Sequence, residues 1–118
     1  MFKIATTEIG DIFVDPEVVE TIAGMAVVDC YGLVGMVARN IATGLGSILG
    51  VESLRKGVKV QYSEDGSIID VYVIMAYGLK IHEIANSVRE KVAYDLYHEA
   101  GLTVAAVNVN VMGIKYVP

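Results

Sequence analysis

Three side chains of this sequence could do chemistry: Cys30, His82 and His98. A nucleophilic cysteine needs a base beside it, and the acid next to Cys30, Asp29, would point in another direction along a helix. The two histidines lie sixteen residues apart on one predicted helix, which separates them by roughly 24 Å. We therefore expect no catalytic residue, no metal site and no cofactor, and we expect Cys30 to be a buried, unreactive thiol. An enzyme that uses Asp29, Cys30 or His82 is the weakest of three hypotheses.

Two glycine patterns resemble ligand-binding loops. In Gly44–Gly50, a dinucleotide fingerprint would need glycine where Leu49 stands, and the Gly-Lys-Ser/Thr of a nucleotide loop is absent. Gly32–Gly35 fits the GXXG pattern of KH modules, in which the loop clamps a nucleic-acid backbone. Its two central residues are apolar, so we interpret it as a tight turn between a helix and a strand.

A KH-like RNA-binding role is nevertheless the second hypothesis. Four cations and one acid lie between Arg39 and Lys59, which predicts a modest basic patch. Against it, the formal net charge of −5 repels phosphate at long range, so we do not expect nucleic acid as the main partner. The following side chains are expected to pack at the edges of the core instead of stacking on bases: Tyr62, Tyr72, Tyr77, Tyr94 and Tyr97.

The composition indicates one apolar domain, residues 1–118. Hydrophobic residues make up 54% of the 118 residues and charged residues 19%, against typical values of about 45–50% and about 25%. The longest apolar run, Val71–Tyr77, is far shorter than the about 20 residues of a membrane span, and the first eight residues lack the features of a secretory signal. We expect a cytoplasmic protein that places its apolar surplus in an interface.

Helix and strand signals alternate along the chain. A short strand, Gly10–Val14, precedes a helix that begins with Asp15 as N-cap and Pro16 at its first position and runs to about Asp29. The strand Leu33–Ala38 follows. The width of the helix's apolar stripe predicts deep burial of Val18, Val19, Ile22, Ala23, Met25, Ala26 and Cys30.

The second half begins with residues 39–56, an irregular, glycine-rich connector whose leucines and isoleucines we expect to meet the core or a partner. A hairpin follows, with Ile68–Tyr77 as its second strand. Apolar residues at spacings of three and four then predict a helix from about Ile81 to Gly101. In the last strand, Val107–Val111, valines point to one face and asparagines to the other.

The element order is β-α-β-β-β-α-β, which indicates an α/β protein, more narrowly an α+β two-layer sandwich. Two β-α-β units with right-handed crossovers would place both helices on one face of a mixed sheet of about five strands. The asparagine face of the last strand would then look outward.

Several of these segments together resemble one family, the alkaline shock proteins, also called Gls-type envelope stress response proteins. The resemblance spans nearly the whole chain and rests on Gly10–Val19, Gly32–Met36, Gly57–Val60, Tyr77-Gly78 and Val107–Val111. It implies a small α/β domain of Gram-positive bacteria, without known catalysis, linked to cell-envelope stress and in some members brought to the membrane by a partner protein. Some short members are encoded near kinases of the dihydroxyacetone or fatty-acid type, which implies a metabolic partner.

The longer members of this family carry charged, low-complexity tails that this sequence lacks, so any membrane contact is expected to be indirect and made by the folded domain through a partner. Our leading hypothesis is a non-catalytic interaction module of unknown partner. It would act as a homo-oligomer or by docking on another protein, through the apolar connector and an exposed sheet edge, without a small-molecule substrate.

Overall fold

Two helices lie on one face of a mixed β-sheet, and a separate β-hairpin precedes them. The structure is a computed structural model that describes residues 1–37, 54, 56–63 and 66–116. Its elements are β1 (Phe2–Thr7), β2 (Gly10–Val14), α1 (Pro16–Val28), β3 (Leu33–Met36), β4 (Val58–Ser63), β5 (Gly66–Ala76), α2 (Ile81–Ala100) and β6 (Val104–Lys115). From β2 onward this is the predicted order, and the predicted α+β architecture is confirmed.

Strand β5 is the centre of the sheet. Its first half pairs antiparallel with β4, from Ser63 opposite Gly66 to Val58 opposite Val71, and its second half pairs antiparallel with β3. Strand β6 runs parallel along the other edge of β5. Because α2 connects β5 to β6, these three elements form the one β-α-β unit of the described sheet.

The core lies between the sheet and the helices. Every second residue of β5 is buried, whereas the residues between them are half-buried. The buried face of β5 contains Ser67, Ile69, Val71, Val73 and Met75. Both helices contact each other and the sheet, so they cover this face, and none of the described residues forms a helix on the opposite face. Neither helix among the described residues is both long and apolar enough to cross a membrane.

Helix α1 begins as predicted and buries a narrower stripe than predicted. The Asp15 carboxylate accepts a hydrogen bond from the backbone N–H of Glu17 at 2.9 Å, and Pro16 is the first helical residue. Residues Val19, Ala23, Ala26 and Val27 are buried. The prediction of deep burial is wrong for Val18 and Met25, which are 45% and 50% exposed, because the sheet and α2 cover only one side of the helix.

The prediction of helix α2 is confirmed. The helix ends at Gly101, whose φ of 69° allows its N–H to bind the carbonyl groups of Leu96 and Tyr97. The buried side chains recur every four residues, at Ile84, Val88, Val92, Leu96 and Ala100. Because every fourth position repeats, α2 presents one continuous stripe to the core.

The N-terminal hairpin is the main difference from the sequence prediction. Strand β1 was not predicted, and β2 pairs with β1 in a two-stranded sheet of its own. The prediction of two β-α-β units is therefore wrong for the first one, because β2 and β3 belong to different sheets. The hairpin base is held by Phe2, which is buried and lies 5.9 Å from the ring of Tyr62.

Most of the predicted connector, residues 39–53 and 55, lies outside the described residues, and so does the glycine pattern Gly44–Gly50. Leu54, near the C-terminal end of the connector, is described and belongs to the core. Leu54 is 4% exposed and lies so close to Gly24 of α1 that a Cβ added there would stand 3.0 Å from the Cβ of Leu54.

Candidate interaction surfaces

Cys30 follows the C-terminus of α1 and is half-buried. Its thiol donates a hydrogen bond to the carbonyl of Ala26 at 3.4 Å, and burial raises the pKa of the thiol. A raised pKa lowers the thiolate fraction, and the thiolate is the reactive form. Nearby, the Lys91 ammonium binds Asp95 at 3.1 Å, and this hydrogen bond raises the pKa of Lys91.

The two histidines lie at opposite ends of α2. His82 lines an open cavity of about 300 Å³ between α2 and β6, together with Asn86, Arg89 and Asn108. Two of the polar groups there bind each other, since Arg89 donates to the side-chain oxygen of Asn86. His98 instead contacts two tyrosine rings near the C-terminus of α2. Among the described residues, no three His, Cys, Asp or Glu side chains are placed to hold a metal ion.

The GXXG pattern does not form a loop. Gly32 precedes β3, and Gly35 lies within it, opposite Ile74. The φ of Gly32 is +89°, and an added Cβ would stand 2.6 Å from Cδ1 of Ile84. Close packing under α2 and a backbone conformation that suits glycine therefore account for Gly32.

A row of polar side chains crosses the face of the sheet that lies opposite α1 and α2. The Asp70 carboxylate accepts hydrogen bonds from Asn108 of β6 at 2.8 Å and from Gln61 of β4 at 3.0 Å. Asn110 donates to the carbonyl of Val71 at 3.2 Å. The prediction that the asparagines face away from the helices is confirmed, and the row ties three strands together.

The outer edge of β6 is long and uncharged. Twelve residues form this strand, it pairs only with β5 among the described strands, and neither charge nor proline occurs before Lys115. Charged residues and prolines are the usual means by which proteins protect an exposed edge from pairing. The sequence-based hypothesis invoked an exposed sheet edge without naming a strand, and the edge of β6 is a candidate for it.

A hydrophobic residue stands at the tip of the N-terminal hairpin. Thr7 pairs with Gly10, which leaves a two-residue loop of Glu8 and Ile9, and Ile9 is 99% exposed. Two-residue hairpin loops favour asparagine, aspartate and glycine, so turn formation gives no reason for isoleucine. We call Glu8–Asp11 the hairpin tip; it carries two acids and no base.

A second exposed surface lies at the opposite end of the sheet, where β5 and β6 end and α2 begins. We call it the far-end surface and define it by Tyr31, Tyr77, Leu79, Lys80, Lys115 and Tyr116. Its three tyrosines are 81%, 68% and 72% exposed, and the rings of Tyr77 and Tyr116 lie 6.1 Å apart. Beside them is an open cavity of about 360 Å³, lined by Tyr31, Leu79, Lys80 and Ile84 among others.

The tyrosines correct a prediction. Four of the five that were expected to pack at core edges are largely exposed, at 60–77%: Tyr62, Tyr77, Tyr94 and Tyr97. Tyr72 is half-buried, on the sheet face opposite α1 and α2. The exposed rings lie on β4, after β5 and on α2, and whether such positions are covered depends on tertiary packing, which the sequence pattern does not show.

Known proteins resemble this chain over nearly all its length. Residues 4–116 match the model of the alkaline shock protein family, described as having a cell envelope-related function. The uncharacterized protein YloU of Bacillus subtilis is 43% identical over 92% of this chain and 92% of its own length. The uncharacterized protein Spy1614 of Streptococcus pyogenes is 37% identical over 98% of this chain and 95% of its own length.

A more distant relative carries a functional name. A stress response regulator gls24 homolog of Streptococcus pyogenes is 28% identical over 90% of this chain and 59% of its own length. No solved structure matches the chain. The family match over residues 4–116, together with the identity to YloU over most of both chains, establishes that this chain belongs to the alkaline shock protein family, whose function is related to the cell envelope.

Proposed function

We propose that this chain is a non-catalytic protein-interaction module of the cell-envelope stress response, and that it acts by self-association or by docking on a protein partner. The family description supports the link to the envelope, and the name of the gls24 relative supports the link to stress. Membrane contact in this proposal is indirect, through a partner.

The observation that carries the proposal is the clustering of large apolar side chains on the surface. Single exposed hydrophobic residues are ordinary. Some of those in this chain lie along α1, α2 and β6, but two groups lie close together at the two ends of the molecule. Ile9, Ile12 and Phe13 of the hairpin are 99%, 54% and 54% exposed, and three exposed tyrosines form the far-end surface. Apolar patches of this kind mark protein interfaces more often than free surface.

The non-catalytic part is supported by the placement of the reactive groups. The raised pKa of the Cys30 thiol disfavours a nucleophile, and Cys30 is not among the residues that line the cavity of His82. The RNA-binding alternative draws no support from Gly32, which packs under Ile84, or from the net charge of −5.

Size-exclusion chromatography with light scattering tests the proposal. We expect the mass to rise above that of a 12.7 kDa monomer as concentration increases from about 10 to about 500 µM, which lies between micromolar and millimolar dissociation constants. A monomer throughout that range, with no protein partner recovered by crosslinking in cells, would overturn it. A parallel column of immobilised single-stranded RNA at low salt tests the alternative, since retention that falls steeply with salt would favour RNA binding.

A further inference from the structure

We propose that the hairpin tip of one copy binds the far-end surface of a second copy. This inference rests on the proposed self-association and names the two surfaces that meet. The occupant of the far-end surface is therefore Glu8–Asp11 of another molecule of this chain.

Shape is the first argument. Ile9 projects from its loop with 99% of its surface exposed, and the far-end surface contains a cavity of about 360 Å³ whose walls include Tyr31, Leu79 and Ile84. The isoleucine side chain has four carbons, each comparable with the roughly 30 Å³ that a water molecule occupies, so it needs about 120 Å³. The cavity therefore has room for Ile9 and for part of its loop.

Charge is the second argument. Glu8 and Asp11 flank Ile9, and no basic residue lies in the tip. Lys80 and Lys115 belong to the far-end surface, and one acid, Glu83, lines its cavity. The Lys80–Glu83 pair is 3.9 Å long and joins side chains that are 81% and 71% exposed. Such a pair is weak, so Lys80 is available to a carboxylate of the tip.

Position is the third argument, because the two surfaces lie at opposite ends of the sheet. The hairpin base contacts the start of β5 and the C-terminus of α2, where Ile4 lies near Gly101. The far-end surface follows the end of β5, and 11 strand residues span about 35 Å. A molecule cannot bind its own tip across this distance, whereas successive copies can bind head to tail.

The contact joins two different surfaces, so copies bound head to tail extend into chains or rings. Two antiparallel copies that exchange tips would instead close as a two-fold dimer. A tip of four residues covers only a few hundred Å² per copy, below the roughly 800 Å² per partner of a stable complex. We therefore expect association that is weak and that grows steadily with concentration.

Complementary charge reversal tests the inference at low salt. The tip variant is Glu8→Lys/Asp11→Lys, and the far-end variant is Lys80→Glu/Lys115→Glu. Each variant alone should associate at least tenfold more weakly than wild type by light scattering, because like charges then face each other. An equimolar mixture should regain assembly, because the reversed tip of one variant fits the reversed surface of the other.

Two further variants keep the test decisive. Glu90→Lys/Glu99→Lys changes the net charge by the same four units as the tip variant, on exposed positions of α2, and should assemble like wild type. Ile9→Ser removes only a fully exposed side chain, so it should fold normally by circular dichroism and still associate at least tenfold more weakly.

The outcomes separate the inference from the proposed function. If wild type and Ile9→Ser assemble equally, the proposed contact between the hairpin tip and the far-end surface is refuted, while self-association of the chain stands. A mixture that stays monomeric although both variants are folded also overturns the contact. If wild type itself is a monomer throughout, self-association fails and this inference fails with it.

Discussion

Replacing Gly32 by alanine should destabilise the protein more than the same change at Gly78. Both glycines have positive φ values, +89° and +91°, so either alanine costs about 1–2 kcal/mol in backbone strain. An alanine Cβ at Gly32 would also stand 2.6 Å from Cδ1 of Ile84 and 3.2 Å from Cδ1 of Leu79, whereas nothing lies within 4 Å of the Cβ position at Gly78. Moving those methyl groups in a packed core adds about 1 kcal/mol or more.

Urea denaturation at equal protein concentration measures the difference. We expect a loss in unfolding free energy of about 2–3 kcal/mol for Gly32→Ala and of about 1–2 kcal/mol for Gly78→Ala. Ile84→Val removes the crowding Cδ1 atom, so the Gly32→Ala/Ile84→Val double variant should lose less than the sum of the two single changes. Equal losses for the two alanine variants, or strict additivity in the double variant, would refute the packing explanation of the GXXG pattern.

Three other predictions follow from the described contacts. Leu54→Ala should cost about 2–4 kcal/mol in thermal or urea unfolding, because Leu54 is 4% exposed; a change below about 0.5 kcal/mol would mean that this end of the connector is not core. The raised pKa of Cys30 means that the folded state favours the neutral thiol, so the contribution of Cys30 to folding stability is full below the unfolded pKa, near 9, and is lost as pH rises through the folded pKa. Iodoacetamide should therefore label Cys30 of the folded protein rapidly only at a higher pH than it labels the unfolded chain. Equal pH profiles for the folded and unfolded protein would contradict this. Asp70→Ala should cost only about 0.5–1.5 kcal/mol, because both of its hydrogen bonds lie on the exposed sheet face; a loss above about 3 kcal/mol would show that this face is covered.

The helices could be read from the sequence because their signals are local. Asp15 and Pro16 mark the start of α1, Gly101 marks the end of α2, and the apolar spacing in α2 matches its buried stripe. The exposure of Val18 and Met25 could not be read in this way, because it depends on how much of α1 the sheet and α2 cover. The spacing of apolar residues shows which of them share one stripe of a helix, and tertiary packing decides how much of that stripe is buried.

The candidate surfaces were only partly predictable. The uncharged, alternating pattern of β6 is visible in the sequence, but its position at an edge of the sheet is not, because strand order depends on tertiary pairing. The hairpin tip was missed because its loop, Glu8–Ile9, has none of the residues that normally signal a two-residue turn. The far-end surface is built from Tyr31, Tyr77 and Tyr116, which are distant in sequence and come together only through the pairing of β5 with β3 and with β6.

Hydrogen–deuterium exchange at several protein concentrations is the most direct test of the claim that this chain works by contact through its apolar ends. If the account is correct, amides of Glu8–Asp11 and of Gly78–Lys80 exchange more slowly as concentration rises, while exposed amides on the outer side of α1 do not change. Exchange rates at both ends that stay the same from dilute to concentrated protein would contradict it.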